Sequence, residues 1–298
     1  MNNNEKTFNG LIIKGIGGFY YVKTTEDVFE CKAKGRFRKE KITPLSGDKV
    51  KITVRENQEN TIDEIFERKN KLQRPPVANV DKLLLIVSTK FPSPNTLVID
   101  KMTAIAEKNG IEPVIVVTKT DIEPADKVME IYRKTGYRVY SFSSIEGSDD
   151  LEKIKAEFKD CLTVLTGNSG VGKSTLLNAI DETLELPTAE ISTKLGRGRH
   201  TTRQAEVFDL CGGRVVDTAG FSSLDIINND VILKEDLRQY FKEFEEYLGE
   251  CKFVSCTHTK DKGCKIVEMV NAGEISESRH DSYKAMYEDA KQIKSWEV

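Results

Sequence analysis

The sequence predicts a multidomain protein with three parts: a small all-β barrel, an α/β domain on a six-stranded, mostly parallel sheet, and an α-helical C-terminal module. Three observations support this. The N-terminal part alternates short β-rich runs with turns, the middle alternates apolar strands with amphipathic helices, and the C-terminal part combines helical periodicity with clustered cysteines. The expected domain boundaries are 1–70, 71–227 and 228–298.

The composition is that of a globular protein. The 298 residues include 38% hydrophobic and 31% charged residues, enough for several separate cores. Lysine and arginine total 45 against 48 acidic residues, so contacts with nucleic acid would have to come from local basic patches. The N-terminus lacks an apolar signal segment and no stretch is long enough to span a bilayer. We therefore expect a cytoplasmic protein without membrane attachment.

The N-terminal segment contains four or five short strands, for which an OB-like barrel is the best-known arrangement. The expected strands are Leu11–Ile13, Phe19–Lys23, Val28–Cys31, Lys49–Val54 and Asn60–Phe66. The residues that follow, 70–80, include two prolines and are expected to form a linker.

One stretch of this segment is strongly basic. Lys32, Lys34, Arg36 and Arg38 surround Phe37. Basic side chains would contact phosphates and an exposed aromatic ring would stack on a base, which predicts RNA binding. The alternative is a solvated strand edge whose charges prevent aggregation. The segment by itself does not decide between the two.

The middle region predicts a parallel sheet covered on both faces by helices. Its expected strands are Leu83–Val87, Val114–Thr118, Arg138–Phe142, Leu162–Leu165, Glu206–Leu210 and Val215–Asp217. Helices are expected near 95–109, 126–135 and 149–159, and a fourth follows the motif described next.

The most informative motif reads GNSGVGKST and directly follows the fourth strand. It matches the phosphate-binding loop, in which small residues let backbone N–H groups wrap a phosphate chain. Lys173 would reach the outer phosphates, and Ser174 would hold Mg²⁺. The N-terminus of the following helix favours the same anion. The predicted triphosphate contacts are Gly167, Asn168, Ser169, Gly170, Val171, Gly172, Lys173, Ser174 and Thr175.

A second motif predicts recognition of guanine. The second strand leads into a Thr-Lys-Thr-Asp tetrapeptide, and a carboxylate there can accept two hydrogen bonds from a guanine edge, whereas adenine has no matching donors. The third strand leads into a serine pair whose backbone could contact the same base. The predicted base contacts are Thr118, Lys119, Thr120, Asp121, Ser143 and Ser144.

A long polar connection, 181–204, follows the phosphate loop. Connections of that length are usually functional or disordered, and a threonine here, Thr201 or Thr202, could close on Mg²⁺ and the γ-phosphate as switch segments do. The last two strands then lead to Asp217 and Gly220. Asp217 is expected near the metal, and the Gly220 N–H near the γ-phosphate.

The last region contains Cys251, Cys256, His258 and Cys264 in a short irregular loop. Three thiolates and one imidazole suit tetrahedral Zn²⁺, and four protein ligands leave no open position, so the site would be structural. The alternative is three unrelated thiols. An amphipathic helix is expected over 233–248 and a final helix over 276–297, on which His280 is expected to be a surface residue.

Together these motifs resemble the ribosome small-subunit-dependent GTPase A family, and the resemblance covers nearly the whole chain. The guanine-nucleotide motifs of Ras-like GTPases are present in the order base recognition, base loop, phosphate loop, switch, DxxG, so the middle domain looks like a circularly permuted P-loop GTPase. The resemblance implies hydrolysis of GTP to GDP and phosphate, stimulated by the small ribosomal subunit, in late maturation of that subunit through rRNA binding. It also supports zinc at the cysteine cluster. We expect a monomer.

The chain departs from the Ras-like pattern at two positions. Thr118 occupies the place of the usual asparagine, which leaves one supporting hydrogen bond open. Phe221 follows DTAG where Ras-like enzymes carry a glutamine that orients water, so slow intrinsic hydrolysis is expected. The family implies His200 as a substitute; the alternative is that His200 contacts RNA or solvent.

Two other functions are compatible with parts of the sequence. One is an RNA-binding assembly factor that uses the nucleotide as a structural ligand with little turnover. The other is a P-loop ATPase or kinase, against which Lys119 and Asp121 argue.

Overall fold

The computed structural model describes residues 5–56, 58–145, 148–184, 205–217, 226–227 and 230–293. It confirms the predicted architecture, with a closed five-stranded barrel, a six-stranded sheet and a C-terminal region that contains the cysteine cluster. Within those residues, no helix combines the length and apolar character needed to cross a bilayer.

The barrel is built from β1 (Glu5–Ile16), β2 (Phe19–Lys23), β3 (Val28–Ala33), β4 (Lys49–Arg55) and β5 (Asn60–Ile65), with a short helix α1 (Gly35–Lys39) after β3. The strand order β1-β2-β3-β5-β4 closes because β4 pairs with β1. Pairing is antiparallel except between β3 and β5. The inward residues form a separate core of Ile12, Val22, Cys31, Phe37, Val50, Ile52 and Ile62.

The predicted linker is not an open connection. It forms a small antiparallel pair of β6 (Lys71–Leu72) and β7 (Val77–Ala78), and Leu72 and Val77 are buried. Leu11 of β1 belongs to the same main core as these two side chains, so the barrel is packed onto the next domain.

The central sheet contains the six strands that the sequence predicted: β8 (Lys82–Ser88), β9 (Glu112–Thr118), β10 (Arg138–Phe142), β11 (Leu162–Thr166), β12 (Glu206–Leu210) and β13 (Gly213–Asp217). The order is β10-β9-β8-β11-β13-β12, and all neighbours are parallel except β12 and β13. Alternate strand residues enter two separate cores, since side chains of successive residues point to opposite faces.

Helices cover both faces of this sheet, as the apolar central strands β8, β9 and β11 require. On one face, α2 (Thr96–Lys108) and α3 (Asp126–Arg133) pack with the C-terminal region. On the other, α4 (Leu151–Ala156) and α5 (Lys173–Ile180) form the second core. Asn95 caps α2, its side chain accepting from the Val98 N–H.

The prediction of an amphipathic helix over 233–248 is wrong. The segment forms two 3₁₀ turns, Leu237–Tyr240 and Lys242–Tyr247, with Phe241 extended between them (φ −105°, ψ 93°). This break lets Phe241 and Phe244 both pack around Tyr283, with ring centroids 5.1 and 4.9 Å from it. Tertiary aromatic packing therefore overrides the helical periodicity.

Two α-helices complete the C-terminal region, α6 (Lys265–Asn271) and α7 (Glu277–Ala290). The buried guanidinium of Arg279 on α7 joins this region to the central domain. It donates to Asp100 on α2 (2.8 Å) and to both carboxylate oxygens of Glu243 (2.6 and 3.0 Å). Tyr132 on α3 donates to the same Asp100 oxygen (2.9 Å). The ion pairs are buried, so the C-terminal region is fixed against α2 and α3.

Candidate functional site

The carboxyl ends of parallel strands bring the predicted nucleotide motifs to one edge of the sheet. The phosphate loop follows β11, the Thr-Lys-Thr-Asp motif follows β9, and the serine pair follows β10. Because the strands run parallel, their carboxyl ends lie at the same edge whatever the order of the motifs along the chain. This edge is where open α/β sheets bind ligands.

The phosphate loop depends on glycines with positive φ. Gly167, Gly170 and Gly172 have φ of 154°, 78° and 97°. A Cβ at Gly167 would lie 2.4 Å from the Ile86 carbonyl oxygen, too close for any side chain. The loop therefore lies directly against β8 while Asn168, Ser169 and Gly170 remain exposed to a ligand.

Lys173 begins α5, and its ammonium lies over the loop. It donates to the carbonyls of Gly167 (2.7 Å) and Asn168 (2.8 Å), and burial lowers the pKa of the Lys173 amine. Ser174, the next residue, is buried. This places a cation and a hydroxyl together at the start of a helix whose dipole favours anions.

Thr118, at the end of β9, connects the predicted base-recognition motif to the phosphate loop. Its buried hydroxyl lies against two carbonyl oxygens, that of Val171 in the loop and that of Val87 on β8 (3.3 Å). A hydroxyl has only one proton to donate, and the Val171 oxygen is the closer of the two. Threonine thus tethers the two motifs to each other from the position where Ras-like proteins have asparagine.

Asp121 lies beyond the end of β9, close to the serine pair. Its carboxylate accepts a hydrogen bond from the Ser143 hydroxyl (2.9 Å), which orients it. Lys119 has φ of 60°, which turns the chain between Thr118 and Asp121. Thr120, Asp121 and Lys119 are partly exposed and Ser144 is exposed, so this end of the sheet is accessible to a base.

Sequence reasoning missed the loop between β8 and α2, residues 89–95. Thr89 donates to the Lys119 carbonyl (2.7 Å), and the Lys119 ammonium contacts the Phe91 carbonyl. A small pocket between this loop and the phosphate loop is lined by Pro92, Asn95 and Asn168, among others. The signal that could have found the loop is its position, since it also follows the carboxyl end of a parallel strand.

Several predicted catalytic residues lie outside the described part of the chain: Gly220, Thr201, Thr202 and His200. The backbone of Asp217 ends β13 opposite Glu206 of β12, and its side chain is not among the described groups. These five assignments stay predictions from the sequence.

The four predicted metal ligands lie together in the C-terminal region. Their ligand atoms are all within 4.8 Å of one another. The His258 Nδ1 is 3.5 Å from the Cys251 sulfur and 3.6 Å from the Cys264 sulfur, and those two sulfurs are 3.9 Å apart. Tetrahedral zinc with bonds of about 2.3 Å to sulfur and 2.0 Å to nitrogen requires edges of about 3.8 and 3.5 Å. The donor set and its spacing therefore fit zinc.

The surroundings of the cluster also favour a metal. Burial raises the pKa of the Cys256 thiol to about 12, so thiolates here need a compensating positive charge. The Lys265 N–H donates to the Cys251 sulfur (3.3 Å), and all six cysteines are free of disulfides. Such an N–H···S bond orients a thiolate and stabilises its negative charge, as is typical around metal ligands.

The expectation that His280 is a surface residue is wrong. It is 5% exposed, and its Nε2 donates to the His258 carbonyl (2.7 Å). The adjacent Tyr283 hydroxyl donates to the Thr257 carbonyl (2.9 Å). Helix α7 therefore holds the backbone of the ligand loop, which the sequence spacing alone could not indicate.

The basic stretch of the barrel requires one correction. Phe37 is 4% exposed and belongs to the barrel core, so its ring cannot stack on a base. The ring is turned inward by helix α1, an element that the sequence did not predict. The Arg36 guanidinium contacts the Asp63 carbonyl, and its carbon lies 5.0 Å from the Phe37 ring centroid.

Ion pairs also occupy part of the basic stretch. Lys32 pairs with Glu59 and Lys34 with Asp63 (2.8 Å). Burial would raise the pKa of the Asp63 carboxyl, but its bonds to Lys34 and two threonines outweigh this and lower it. Arg38 makes no ion pair with any described residue and is exposed.

Comparisons with known proteins identify two families along the chain. A family described as RsgA GTPase matches residues 65–227, and one described as RsgA N-terminal domain matches residues 9–62. The chain is 43% identical over 287 residues to the small ribosomal subunit biogenesis GTPase RsgA of Caldanaerobacter subterraneus, covering 95% of this chain and 96% of that protein. It is 42% identical to the protein of the same name from Halalkalibacterium halodurans, covering 95% and 97%.

Two solved structures share the whole fold. One is YloQ, described as a circularly permuted GTPase, with a TM-score of 0.78, 37% identity and coverage of 97% of this chain and 96% of that chain. The other is YjeQ from Thermotoga maritima, with a TM-score of 0.80, 32% identity and coverage of 97% and 100%. The similarity therefore extends over barrel, central domain and C-terminal region together.

Proposed function

The chain belongs to the RsgA GTPase family, and from this premise we propose that it hydrolyses GTP to GDP and phosphate during biogenesis of the small ribosomal subunit. The observation that carries the proposal is the contact of Thr118 with the phosphate loop. This contact joins the two motifs, and it supports the proposal of one continuous nucleotide site with the Asp121 carboxylate at one end and the Lys173 ammonium at the other.

The residues at this site have separate proposed roles. Asp121 reads the guanine edge, and the loop amides with Lys173 bind the phosphates and stabilise the charge that develops during transfer. Ser174 and, through water, Asp217 would hold Mg²⁺, which neutralises phosphate charge when bound. The same proposal includes three further roles. Thr201 or Thr202 would contact the metal, the Gly220 N–H would contact the γ-phosphate, and His200 would contact the attacking water.

We further propose that Cys251, Cys256, His258 and Cys264 bind one structural Zn²⁺. Four protein ligands leave no coordination position for a substrate. The ion's role is then to hold the ligand loop against α7, where His280 and Tyr283 bind its backbone.

The proposed partner is the small ribosomal subunit, named in the description of the relatives. Arg38, which is exposed and has no ion-pair partner in the described chain, is the proposed phosphate contact of the barrel. We assign a smaller contribution to RNA binding to Lys32, Lys34 and Arg36. These side chains would first have to break their contacts with acidic side chains or a backbone carbonyl.

The test is phosphate release from GTP and from ATP, with and without purified small subunits. We expect preferential GTP turnover and a higher rate with subunits. Lys173→Ala should reduce the stimulated rate by about 100-fold or more, because one preorganised charge contact to the transition state is lost. Lys153 lies on α4 outside the predicted nucleotide contacts and pairs with Asp150, so Lys153→Ala is the comparison variant for a general loss of lysine charge.

Preferential ATP turnover would contradict the guanine assignment. Tight GTP binding with no turnover in either condition would favour the alternative, an assembly factor with a structural nucleotide. Equal rates with and without subunits would remove the subunit as the activating partner.

A further inference from the structure

The barrel contacts the central domain at the start of β12, through Ala205 directly before the strand and Glu206 as its first residue. The buried Ser46 hydroxyl donates to the Ala205 carbonyl (2.7 Å), and both residues are less than 10% exposed, at 7% and 3%. Next to this bond, the Lys14 ammonium on β1 lies 3.1 Å from the Glu206 carboxylate, with both side chains about one quarter exposed (26% and 24%). The barrel thus binds the first residue of β12 and the residue directly before it.

The barrel side of this contact is a firmly held loop. The Ser46 carbonyl accepts from the Ala78 N–H (2.9 Å), and the Gly47 N–H donates to Ile12 on β1 (2.8 Å). Gly47 has φ of 86°, and a Cβ there would lie 2.2 Å from the Ala78 carbonyl oxygen. Because the loop is bonded to β1 of the barrel and packed against β7, a shift of the barrel against the central domain acts on Ser46 through these contacts.

The sheet side of the contact leads to the nucleotide site. Glu206 is the register partner of Asp217 in the antiparallel pair of β12 and β13. Strand β13 in turn pairs with β11, the strand that carries the phosphate loop. The position of the first residues of β12 is therefore coupled, through ladder hydrogen bonds, to the backbone of Asp217 beside the phosphate loop.

We propose that Ser46 and Lys14 are positioning residues for GTP hydrolysis. They fix the start of β12 and thereby the position of the Asp217 backbone. When the partner binds the barrel, this position changes with that of the barrel. The inference rests on the proposed function, since it concerns the step by which subunit binding raises the hydrolysis rate. Ser46 and Lys14 lie in the barrel and do not contact the nucleotide site, so the effect is transmitted through β12 and β13.

The test is a charge exchange across the contact. The full-length variants Lys14→Glu, Glu206→Lys and the double variant are compared with wild type for the ratio of subunit-stimulated to basal GTP hydrolysis. Each single variant should lower the ratio about tenfold, within the range of coupling that one contact supplies, and the double variant should restore most of it. Binding to subunits is measured separately by sedimentation, and it should stay within about twofold of wild type.

A second ion pair between the barrel and β12 provides a matched control. Lys23 of the barrel pairs with Asp209, farther along β12 and more exposed (37% and 58%). Lys23→Glu should leave the ratio close to that of wild type, because Asp209 is remote from Asp217 in the register. Two variants at Ser46 give a second comparison without a change of charge. Ser46→Ala removes the hydroxyl and should lower the ratio of stimulated to basal hydrolysis. Ser46→Thr keeps the hydroxyl and should keep the ratio close to that of wild type.

The outcomes separate the two proposals. If wild type is stimulated and Lys14→Glu is stimulated equally while it binds subunits, the positioning role is overturned and the proposed function stands. The role is also overturned if the folded double variant stays as low as the single variants. If wild type itself is not stimulated, the proposed function fails and this role fails with it.

Discussion

Thr118 stands at the position where Ras-like proteins have asparagine. Its hydroxyl still connects the predicted base-recognition motif to the phosphate loop. An asparagine at this position would reach the loop with an amide, and the threonine hydroxyl reaches the Val171 carbonyl because the loop packs directly on β9. Gly172 lies beside Thr118 as well, and a Cβ built there would be in ordinary contact with the Thr118 hydroxyl oxygen at 3.6 Å. The sequence departure is therefore compensated by local packing.

Asp121 is expected to determine base selectivity. Asp121→Asn replaces two acceptor oxygens by one acceptor and one donor, which no longer match the N1–H and amino donors of guanine but suit the carbonyl of xanthine. GTP affinity should fall by about 100-fold or more and affinity for xanthosine triphosphate should rise. Competition of both nucleotides against a fluorescent guanine nucleotide measures this exchange.

Ser143→Ala provides the comparison for that substitution. It removes the hydroxyl that binds Asp121 while the carboxylate remains, so it should weaken GTP binding less and should not favour xanthine. A variant Asp121→Asn that kept the selectivity of wild type would show that another residue reads the base.

At the scale of elements, α2 and α7 form the main junction between the central domain and the C-terminal region. Arg279 is completely buried, together with Asp100 and Glu243. Its guanidinium carbon also lies 4.5 Å from the Phe241 ring centroid, over the extended residue that separates the two 3₁₀ turns. The same side chain thus stabilises the interface and the irregular segment.

Removing this guanidinium should be strongly destabilising. Arg279→Met keeps much of the apolar volume but leaves two buried carboxylates unpaired, and we expect a loss of about 3–5 kcal/mol in the free energy of unfolding. Urea unfolding followed by circular dichroism measures it. Lys284→Met on the same helix breaks an exposed ion pair with Asp281 and should change the stability little. Equal effects of the two substitutions would contradict the importance of the buried network.

At the scale of the whole molecule, the central sheet is held on two sides. The barrel contacts the sheet edge at β12, and the C-terminal region covers α2 and α3. The nucleotide motifs follow β9, β10 and β11, at the carboxyl edge of the strands. A partner that holds barrel and C-terminal region at once would therefore act on the sheet from both sides.

Loss of the proposed zinc should affect more than its own loop. His258 lies at the end of a packed series that continues through His280, α7 and Arg279 to α2. Native mass spectrometry should show one bound metal in wild type, and Cys256→Ser should lose it with a lower unfolding temperature. Cys161→Ser, at a cysteine outside the cluster, should keep the metal. Metal retained by Cys256→Ser would contradict the four-ligand assignment.

The sequence by itself determined the six strands, the phosphate loop, the guanine motif and the four-ligand cluster. These follow from short-range chemistry: glycines that allow positive φ, apolar runs that must be covered, and ligands close together in one loop. Permuted order did not hide the site, because parallel strands bring their carboxyl ends to the same edge wherever the chain begins.

Only the tertiary structure decided the burial of Phe37 and His280, the 3₁₀ turns in place of a helix, and the attachment of the barrel at β12. Each depends on a contact between residues far apart in the chain: His280 with His258, Phe241 with Tyr283, Ser46 with Ala205. Periodicity reports which side chains prefer burial, but the partner that buries them is chosen by packing across the whole molecule.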